Sequence, residues 1–120
     1  MMRWLSHRQF DSEFKTLAKR HNGLEIGFDN AKRLLAIQFD QDRPQTVIAP
    51  GKLHRVHSDA DFEMWKLEMA VRNLRPNQFP RIWFAQQTRL IAFLSIRSHV
   101  DNYDDSAVRQ EAIARFAELK

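Results

Sequence analysis

The sequence predicts an α+β domain in which an N-terminal helical hairpin packs on a small antiparallel β-sheet and a C-terminal helix follows. Apolar residues recur at helical spacing in two adjacent stretches, residues 9–21 and 24–39, and again in residues 107–119. Between them, residues 53–96 contain β-rich runs bounded by polar turns. Helices grouped before and after a set of strands are typical of a sheet with its helices on one side.

The composition is that of one globular domain spanning residues 1–120. A hydrophobic content of 43% at this length is enough to bury a core without cross-links. The absence of cysteine excludes disulfides, thiolate metal sites and thiol catalysis, and it fits a reducing cytoplasm. The sequence has no apolar stretch long enough for a signal peptide or a membrane span. We therefore expect a cytoplasmic protein that has no membrane partner.

The charge is moderately basic and unevenly distributed. The chain has 19 basic and 15 acidic residues, a net charge of +4, and a pI near 9.9. Much of the excess lies in the predicted sheet region, whose basic residues are Lys52, Arg55, Lys66, Arg72, Arg75, Arg81, Arg89 and Arg97. A basic sheet favours polyanions, so nucleic acid is the first candidate partner, although many soluble proteins share such a pI.

The N-terminal third is predicted to contain a short strand in residues 1–5 and then the helical hairpin. In residues 9–21, Phe10, Phe14 and Leu17 fall on one face of a helix. Asn22-Gly23 is a strong helix stop, because both residue types tolerate the left-handed conformation. A second amphipathic helix is predicted for residues 24–39, and residues 40–51 are predicted to form a loop rich in polar residues and proline.

Four further segments are predicted to build the sheet. Residues 53–57 and 62–71 are read as strands, and the second alternates so that Lys66 and Glu68 face away from the core. Residues 81–84 form the next predicted strand, followed by a turn at 85–88. The uncharged run after Arg89, in residues 89–96, is typical of a strand buried on both faces in the middle of a sheet.

The segment after this last strand carries the most reactive combination of side chains. Residues 97–103 place Arg97, His99 and Tyr103 at the end of the predicted central strand. Asp104-Asp105-Ser106 then provides a helix cap for residues 107–119. We expect the functional site where the strand leaves the sheet.

Three segments resemble the RelE/ParE superfamily, the toxins of bacterial type II toxin–antitoxin pairs. They are EFKTLAKRH at residues 13–21, FPRIWF at 79–84 and LIAFLSI at 90–96. The resemblance implies a RelE-like fold and a toxin whose partners are a cognate antitoxin and mRNA, free or on the ribosome. Several branches carry a catalytic His or Tyr just after the last strand, where this chain has His99 and Tyr103. Their wider spacing and the long C-terminal helix depart from the family pattern.

The ribonuclease members imply a reaction that uses no metal or other cofactor. A base activates a ribose 2′-OH to attack the adjacent phosphate, cations stabilise the transition state, and an acid protonates the leaving 5′-oxygen. We assign His99 as base or acid, Arg81 as the main phosphate clamp, and Tyr103 as partner acid or stacking residue. The expected nucleic-acid-binding side chains are Lys52, His54, Arg55, Lys66, Arg72, Arg75 and Arg97.

Several alternatives remain open at the sequence level. His99 can instead bond to Asp101 or Asp104, Arg81 can pair with Glu68 across the sheet, and Tyr103 can be a core residue. The same fold also occurs in ParE-like inhibitors of DNA gyrase, which act by binding, and a RelE-like domain without catalysis is a third possibility. Whether His99, Tyr103 and Arg81 converge on one exposed face distinguishes the enzyme from the binding proteins.

Overall fold

The computed structural model describes residues 1–119 as an α+β domain with three helices and one five-stranded mixed sheet. The elements in chain order are β1 (Arg3–Ser6), α1 (Arg8–Ala18), α2 (Leu24–Gln38), β2 (Leu53–Ser58), β3 (Glu63–Glu68), β4 (Arg81–Gln87), β5 (Leu90–Arg97) and α3 (Asp105–Leu119). Short 3-10 turns at Pro50–Lys52 and Pro76–Gln78 precede β2 and β4. Among the described residues, no helix is both long and apolar enough to cross a membrane.

The sheet has the strand order β1-β5-β4-β3-β2. Strands β2 to β5 pair antiparallel with their neighbours, whereas β1 runs parallel to β5 from Arg3 opposite Leu90 to Ser6 opposite Phe93. The prediction of a purely antiparallel sheet was therefore wrong. The short strand predicted for residues 1–5 is present as β1, so the fold opens on a sheet strand, and the helical hairpin follows it. The buried run of β5 does lie inside the sheet, between β1 and β4.

The helices lie on both faces of the sheet, and the prediction that they share one side was wrong. On one face, α1 and α2 cover Ile82, Phe84 and Phe93. On the other face, α3 covers a second apolar cluster containing Met64, Trp83, Ala85, Ala92 and Leu94. The physical reason is in β4 and β5, whose successive side chains are apolar on both faces, so one layer of helices would leave half of them in water.

The hairpin between β4 and β5 is tighter than predicted. Residues 85–88 were expected to form the turn, but Ala85, Gln86 and Gln87 continue β4 and pair with Ala92, Ile91 and Leu90. Only Thr88 and Arg89 connect the strands, and Arg89 adopts a φ of 57°. This φ lies in the left-handed region, which glycine adopts without steric cost, so the arginine carries strain there.

A β-bulge in β5 determines which face of the sheet the last side chains of the strand occupy. Trp83 is opposite Ser95 and Phe84 is opposite Phe93, which leaves Leu94 as the extra residue. Leu94 packs in the α3 cluster, and the hydroxyl of Ser95 also bonds to α3, whereas Ile96 returns to the hairpin face. Because side chains alternate along a strand, this one extra residue turns Arg97 toward α3.

Two ionic side chains bind backbone groups of β5 in the part of the strand that extends beyond β1. The Glu13 carboxylate accepts from the Ile96 N–H at 3.3 Å, and the buried Arg115 guanidinium donates to the Leu94 carbonyl at 2.7 Å. Arg115 also donates to Glu13 at 3.0 Å, which connects α3 to α1 around the sheet edge. These contacts satisfy backbone groups that an exposed strand edge would leave unpaired.

Candidate functional site

The face of the sheet that α3 covers has a polar end where β3 finishes, β4 begins and β5 leaves. Its strand residues lie on the α3 face because they alternate with residues of the hairpin face along each strand. We call this set the polar cluster, and its members are Lys52, His54, Lys66, Glu68, Arg81, His99 and Tyr103. The structure therefore brings the three predicted catalytic residues to one surface, together with three of the seven predicted nucleic-acid-binding residues.

The central contact of the polar cluster joins Arg81 to His99. A guanidinium nitrogen of Arg81 lies 3.0 Å from Nδ1 of His99, and the imidazole is exposed. Because arginine can only donate, Nδ1 must accept, which assigns the ring proton of the neutral imidazole to Nε2. The Nε2–H is left to donate to an incoming ligand. The predicted bonds from His99 to Asp101 or Asp104 are replaced by this contact.

Glu68 is the functional candidate that sequence reasoning missed. Its carboxylate lies 3.4 Å from Nε2 of His54 and 3.7 Å from Nζ of Lys52, and its side chain is 17% exposed. It is also the direct cross-strand partner of Arg81. The sequence feature that could have identified Glu68 is its position two residues after Lys66, which places both side chains on the same face of the strand. At the sequence level, Glu68 was considered only as a possible ion-pair partner of Arg81. Instead, Glu68 binds Lys52 and His54 while Arg81 binds His99.

Tyr103 lies against the edge of Trp83, with 5.6 Å between ring centroids. Partial burial raises the pKa of its phenol, and the positive charge of Arg81 opposes this effect. The negative charges of Asp105 and Glu68 add to the increase. The hydroxyl therefore remains protonated at neutral pH and can act as a hydrogen-bond donor or acid. Trp83 connects it to the same cluster, because the Lys66 ammonium lies 5.8 Å from the centre of the Trp83 ring.

Lys66 marks the border between the polar cluster and α3. Its ammonium lies 3.1 Å from the Asp105 carboxylate at the start of α3 and 5.8 Å from the centre of the Trp83 ring. Trp83 itself is 1% exposed, so it supports the cluster from below and has no free face on which a base could stack. Lys66 is a cation that a bound phosphate can recruit only in competition with Asp105.

The remaining four predicted nucleic-acid-binding residues are not members of this cluster, although Arg97 lies directly opposite Arg81 on the same face of the sheet. Arg55 is on the opposite face of the sheet, where it donates to Glu63 at 3.0 Å. Arg97 is engaged by Glu13 at 2.8 Å and by Glu111 at 2.6 Å. Arg72 and Arg75 are exposed in the segment between β3 and β4, and the Cβ of Arg72 lies beside Gly23 on the hairpin side.

Comparison with protein-family models, with curated proteins and with solved structures finds no significant match to this chain. The function of the polar cluster must therefore be inferred from its own geometry. That geometry combines fixed positive charge, a carboxylate, an imidazole and a protonated phenol within one partly exposed surface.

Proposed function

We propose that this protein is the toxin of a type II toxin–antitoxin pair and acts as a metal-independent mRNA endoribonuclease. The observation that carries the proposal is the Arg81–His99 contact beside Glu68 and Tyr103. These groups match the needs of 2′-OH attack on a neighbouring phosphate, which requires a base, an acid and fixed positive charge. The sheet with a helical hairpin on one face also supports the RelE-like fold that the sequence resemblance implies.

In the proposed reaction, Arg81 leaves His99 and binds the scissile phosphate. Arginine forms two parallel hydrogen bonds to a phosphate, which are stronger than its single bond to a neutral imidazole. Its departure frees Nδ1 of His99, so the imidazole can exchange a proton while its Nε2–H faces the ligand. Phosphate binding and the release of His99 are then one event.

Glu68 is proposed as the general base, and His99 and Tyr103 as the acid and its partner. The 2′-OH loses its proton to the Glu68 carboxylate as its oxygen forms a bond to phosphorus. The bond from phosphorus to the 5′-oxygen breaks, and that oxygen receives a proton from protonated His99. The products are a 2′,3′-cyclic phosphate and a 5′-hydroxyl. The Tyr103 hydroxyl and Lys66 donate to the non-bridging oxygens during this step.

The proposed partners follow from the same surface. The mRNA binds as a single strand, free or on the ribosome, because its 2′-OH must be accessible. A cognate antitoxin would neutralise the toxin by covering the polar cluster. The proposed location is the cytoplasm, where mRNA is translated.

The experiment that tests this proposal compares RNA cleavage in vivo and in vitro by the wild type and four variants. Induction of the wild type is expected to arrest growth and to create new mRNA 5′-ends. His99→Ala and Glu68→Gln should each lower the cleavage rate about 10²-fold or more, and Arg81→Ala by roughly 10²–10³-fold. Arg55→Ala is the matched control, because Arg55 is a strand cation on the opposite face. It should cleave like the wild type.

Two outcomes would contradict the nuclease assignment. Growth arrest without new RNA ends, unchanged in the His99→Ala variant, would indicate a binding toxin such as a gyrase inhibitor. Absence of arrest and of cleavage in the wild type would indicate a binding module without catalysis. A separate outcome concerns the location of the site. If Arg55→Ala lost as much activity as the polar-cluster variants, the active surface would not be confined to the α3 face of the sheet.

A further inference from the structure

His99 is held in a four-residue turn that Asp101 closes twice. The Asp101 N–H donates to the Ser98 carbonyl at 3.1 Å, and the Asp101 carboxylate accepts from the Ser98 N–H at 3.0 Å. The Ser98 hydroxyl accepts from the Val100 N–H at 3.3 Å. His99 and Val100 are the two central residues of this turn, and both side chains are exposed. Their direction depends on the hydrogen bonds between its first and last residues.

The turn is attached to the rest of the molecule on two sides. Ser98 is 4% exposed and directly follows β5, so the first residue of the turn is fixed by the sheet. On the other side, the second carboxylate oxygen of Asp101 lies 3.9 Å from the guanidinium of Arg20, just after α1. This second contact is long and exposed, so we expect it to contribute little.

We propose that Asp101 is the positioning residue of His99, because its carboxylate fixes the turn that presents the imidazole to Arg81. Asp101 contacts neither Arg81 nor His99 through its side chain, and it has no part in the bond-making steps. The kinetic part of the inference rests on the proposed ribonuclease function, whereas the structural part, the placement of the imidazole 3.0 Å from Arg81, does not.

Asp101 matters for the contact between Arg81 and His99 because the backbone of Arg81 is more constrained than that of His99. Arg81 extends from a sheet strand that pairs with neighbours on both sides, so its backbone is fixed. The imidazole extends from an exposed turn. Without the Asp101 carboxylate, the buried Ser98 N–H loses its acceptor, and residues 99 and 100 gain conformations that the single Arg81 contact cannot select.

Three substitutions test the inference. Asp101→Ala removes the acceptor of the Ser98 N–H. Asp101→Asn keeps an oxygen that can accept the same bond but removes the charge that faces Arg20. Asp40→Ala is the matched control, because the Asp40 carboxylate accepts from the N–H groups of Asp42 and Arg43 in a similar exposed turn beyond the end of α2. Asp40 lines a pocket together with Arg89, which directly precedes β5, so the control lies at the end of β5 far from His99.

The first measurement is the set of NMR nuclear Overhauser contacts between the His99 ring and the Arg81 side chain. The second is kcat and KM for RNA cleavage. Asp101→Ala should lose the ring contacts and lower kcat about tenfold or more while KM changes less than kcat, because a misplaced group loses rate before binding. Asp101→Asn should retain the ring contacts and stay within about threefold of the wild-type kcat. Asp40→Ala should match the wild type in both measurements.

The outcomes separate this inference from the proposed function. Ring contacts that persist in a folded Asp101→Ala protein would overturn the inference, whatever the cleavage rates. Equal loss in Asp101→Asn would also overturn it, because the charge and not the turn hydrogen bond would then be decisive. If the wild type cleaves no RNA but Asp101→Ala still loses the ring contacts, the positioning role stands and the ribonuclease proposal fails.

Discussion

The contact between Arg81 and His99 restricts what either side chain can do alone. While the guanidinium donates to Nδ1, the imidazole cannot accept a proton at that atom, and one donor of Arg81 is occupied. A ligand that recruits Arg81 therefore changes both groups together. For this reason we assign the base of the proposed reaction to Glu68, whose carboxylate lies 3.7 Å from the Lys52 ammonium and 3.4 Å from the His54 ring and has further acceptor capacity.

Tyr103 gives a prediction at the scale of a single residue, because it is the one tyrosine of the chain. Burial raises its pKa above the ordinary value of 10.0. The unfolded chain therefore loses its phenolic proton first as the pH rises, so this group stabilises the fold at lower pH and ceases to do so as the pH passes its folded pKa. Tyr103→Phe should remove that alkaline loss of stability. Urea unfolding of both proteins across this pH range measures the difference.

The ultraviolet absorbance of the phenolate provides an independent check on Tyr103. No other residue contributes a phenolate signal, so the titration of the folded protein reports this group alone. A midpoint above that of the urea-unfolded chain is expected. A midpoint at or below that of the unfolded chain would mean that Tyr103 is not buried against Trp83 as described.

At the scale of the elements, α2 approaches the chain after β3 too closely for any side chain at Gly27. A Cβ atom there would lie 2.7 Å from the Ala70 carbonyl oxygen and 3.3 Å from Val71. The first of these is a backbone atom, which cannot rotate out of the way. The glycine that weakens the helix by its propensity is therefore required by packing.

Gly27→Ala should lower the free energy of unfolding by about 1–2 kcal/mol, because overpacking against backbone outweighs the better helix propensity of alanine. Chemical denaturation of the purified protein measures the change. Gly51→Ala is the control, since no atom lies within 4 Å of a Cβ at that position. It should stay within about 0.5 kcal/mol of the wild type. Equal stability of the two variants would contradict the close approach of α2.

The bulge in β5 shows how one element determines the composition of the site. Leu94 is the extra residue, and it brings Ser95 and Arg97 to the α3 face. There, Arg97 is bound by Glu111 from α3 and by Glu13 from α1. The bulge therefore converts a predicted phosphate ligand into part of an ionic network that joins three elements.

At the scale of the whole molecule, the count of 19 basic residues overstates the number of cations that are free to bind a polyanion. Arg55 is paired with Glu63 on the hairpin face, and Arg97 and Arg115 share Glu13 and Glu111. Within the polar cluster the cations are Lys52, Lys66 and Arg81. Two of them face carboxylates that a phosphate must displace, so we expect modest affinity with a small number of phosphate contacts.

The salt dependence of binding measures that number. A single strand that contacts these three cations should lose affinity with a slope of log K against log salt of roughly −2, at about −0.7 for each phosphate. An oligonucleotide with 2′-O-methyl groups resists cleavage and serves as the probe. Lys66→Gln should reduce the slope by roughly 0.7, whereas Arg55→Gln should leave it unchanged. A slope that falls equally in both variants would contradict the assignment of binding to the α3 face.

Local patterns in the sequence were sufficient to identify most elements and the faces of several strands. The alternation in β3 correctly placed Lys66 and Glu68 on one face, and the uninterrupted apolar run correctly placed β5 inside the sheet. The sequence placed the expected site at the exit of β5, and there the structure brings the His99 ring within 3.0 Å of Arg81. These features depend on side-chain periodicity, which neighbouring residues determine.

Only the tertiary structure decided which cations are available and which carboxylate accompanies them. The parallel pairing of β1, the covering of both faces and the bulge at Leu94 all depend on contacts between residues far apart in the chain. The sequence could not separate Arg97, held by Glu13 and Glu111, from Arg81, which reaches His99. Both arginines flank apolar strands, and only the partners that long-range packing brings to each one distinguish the structural charge of Arg97 from the candidate functional charge of Arg81.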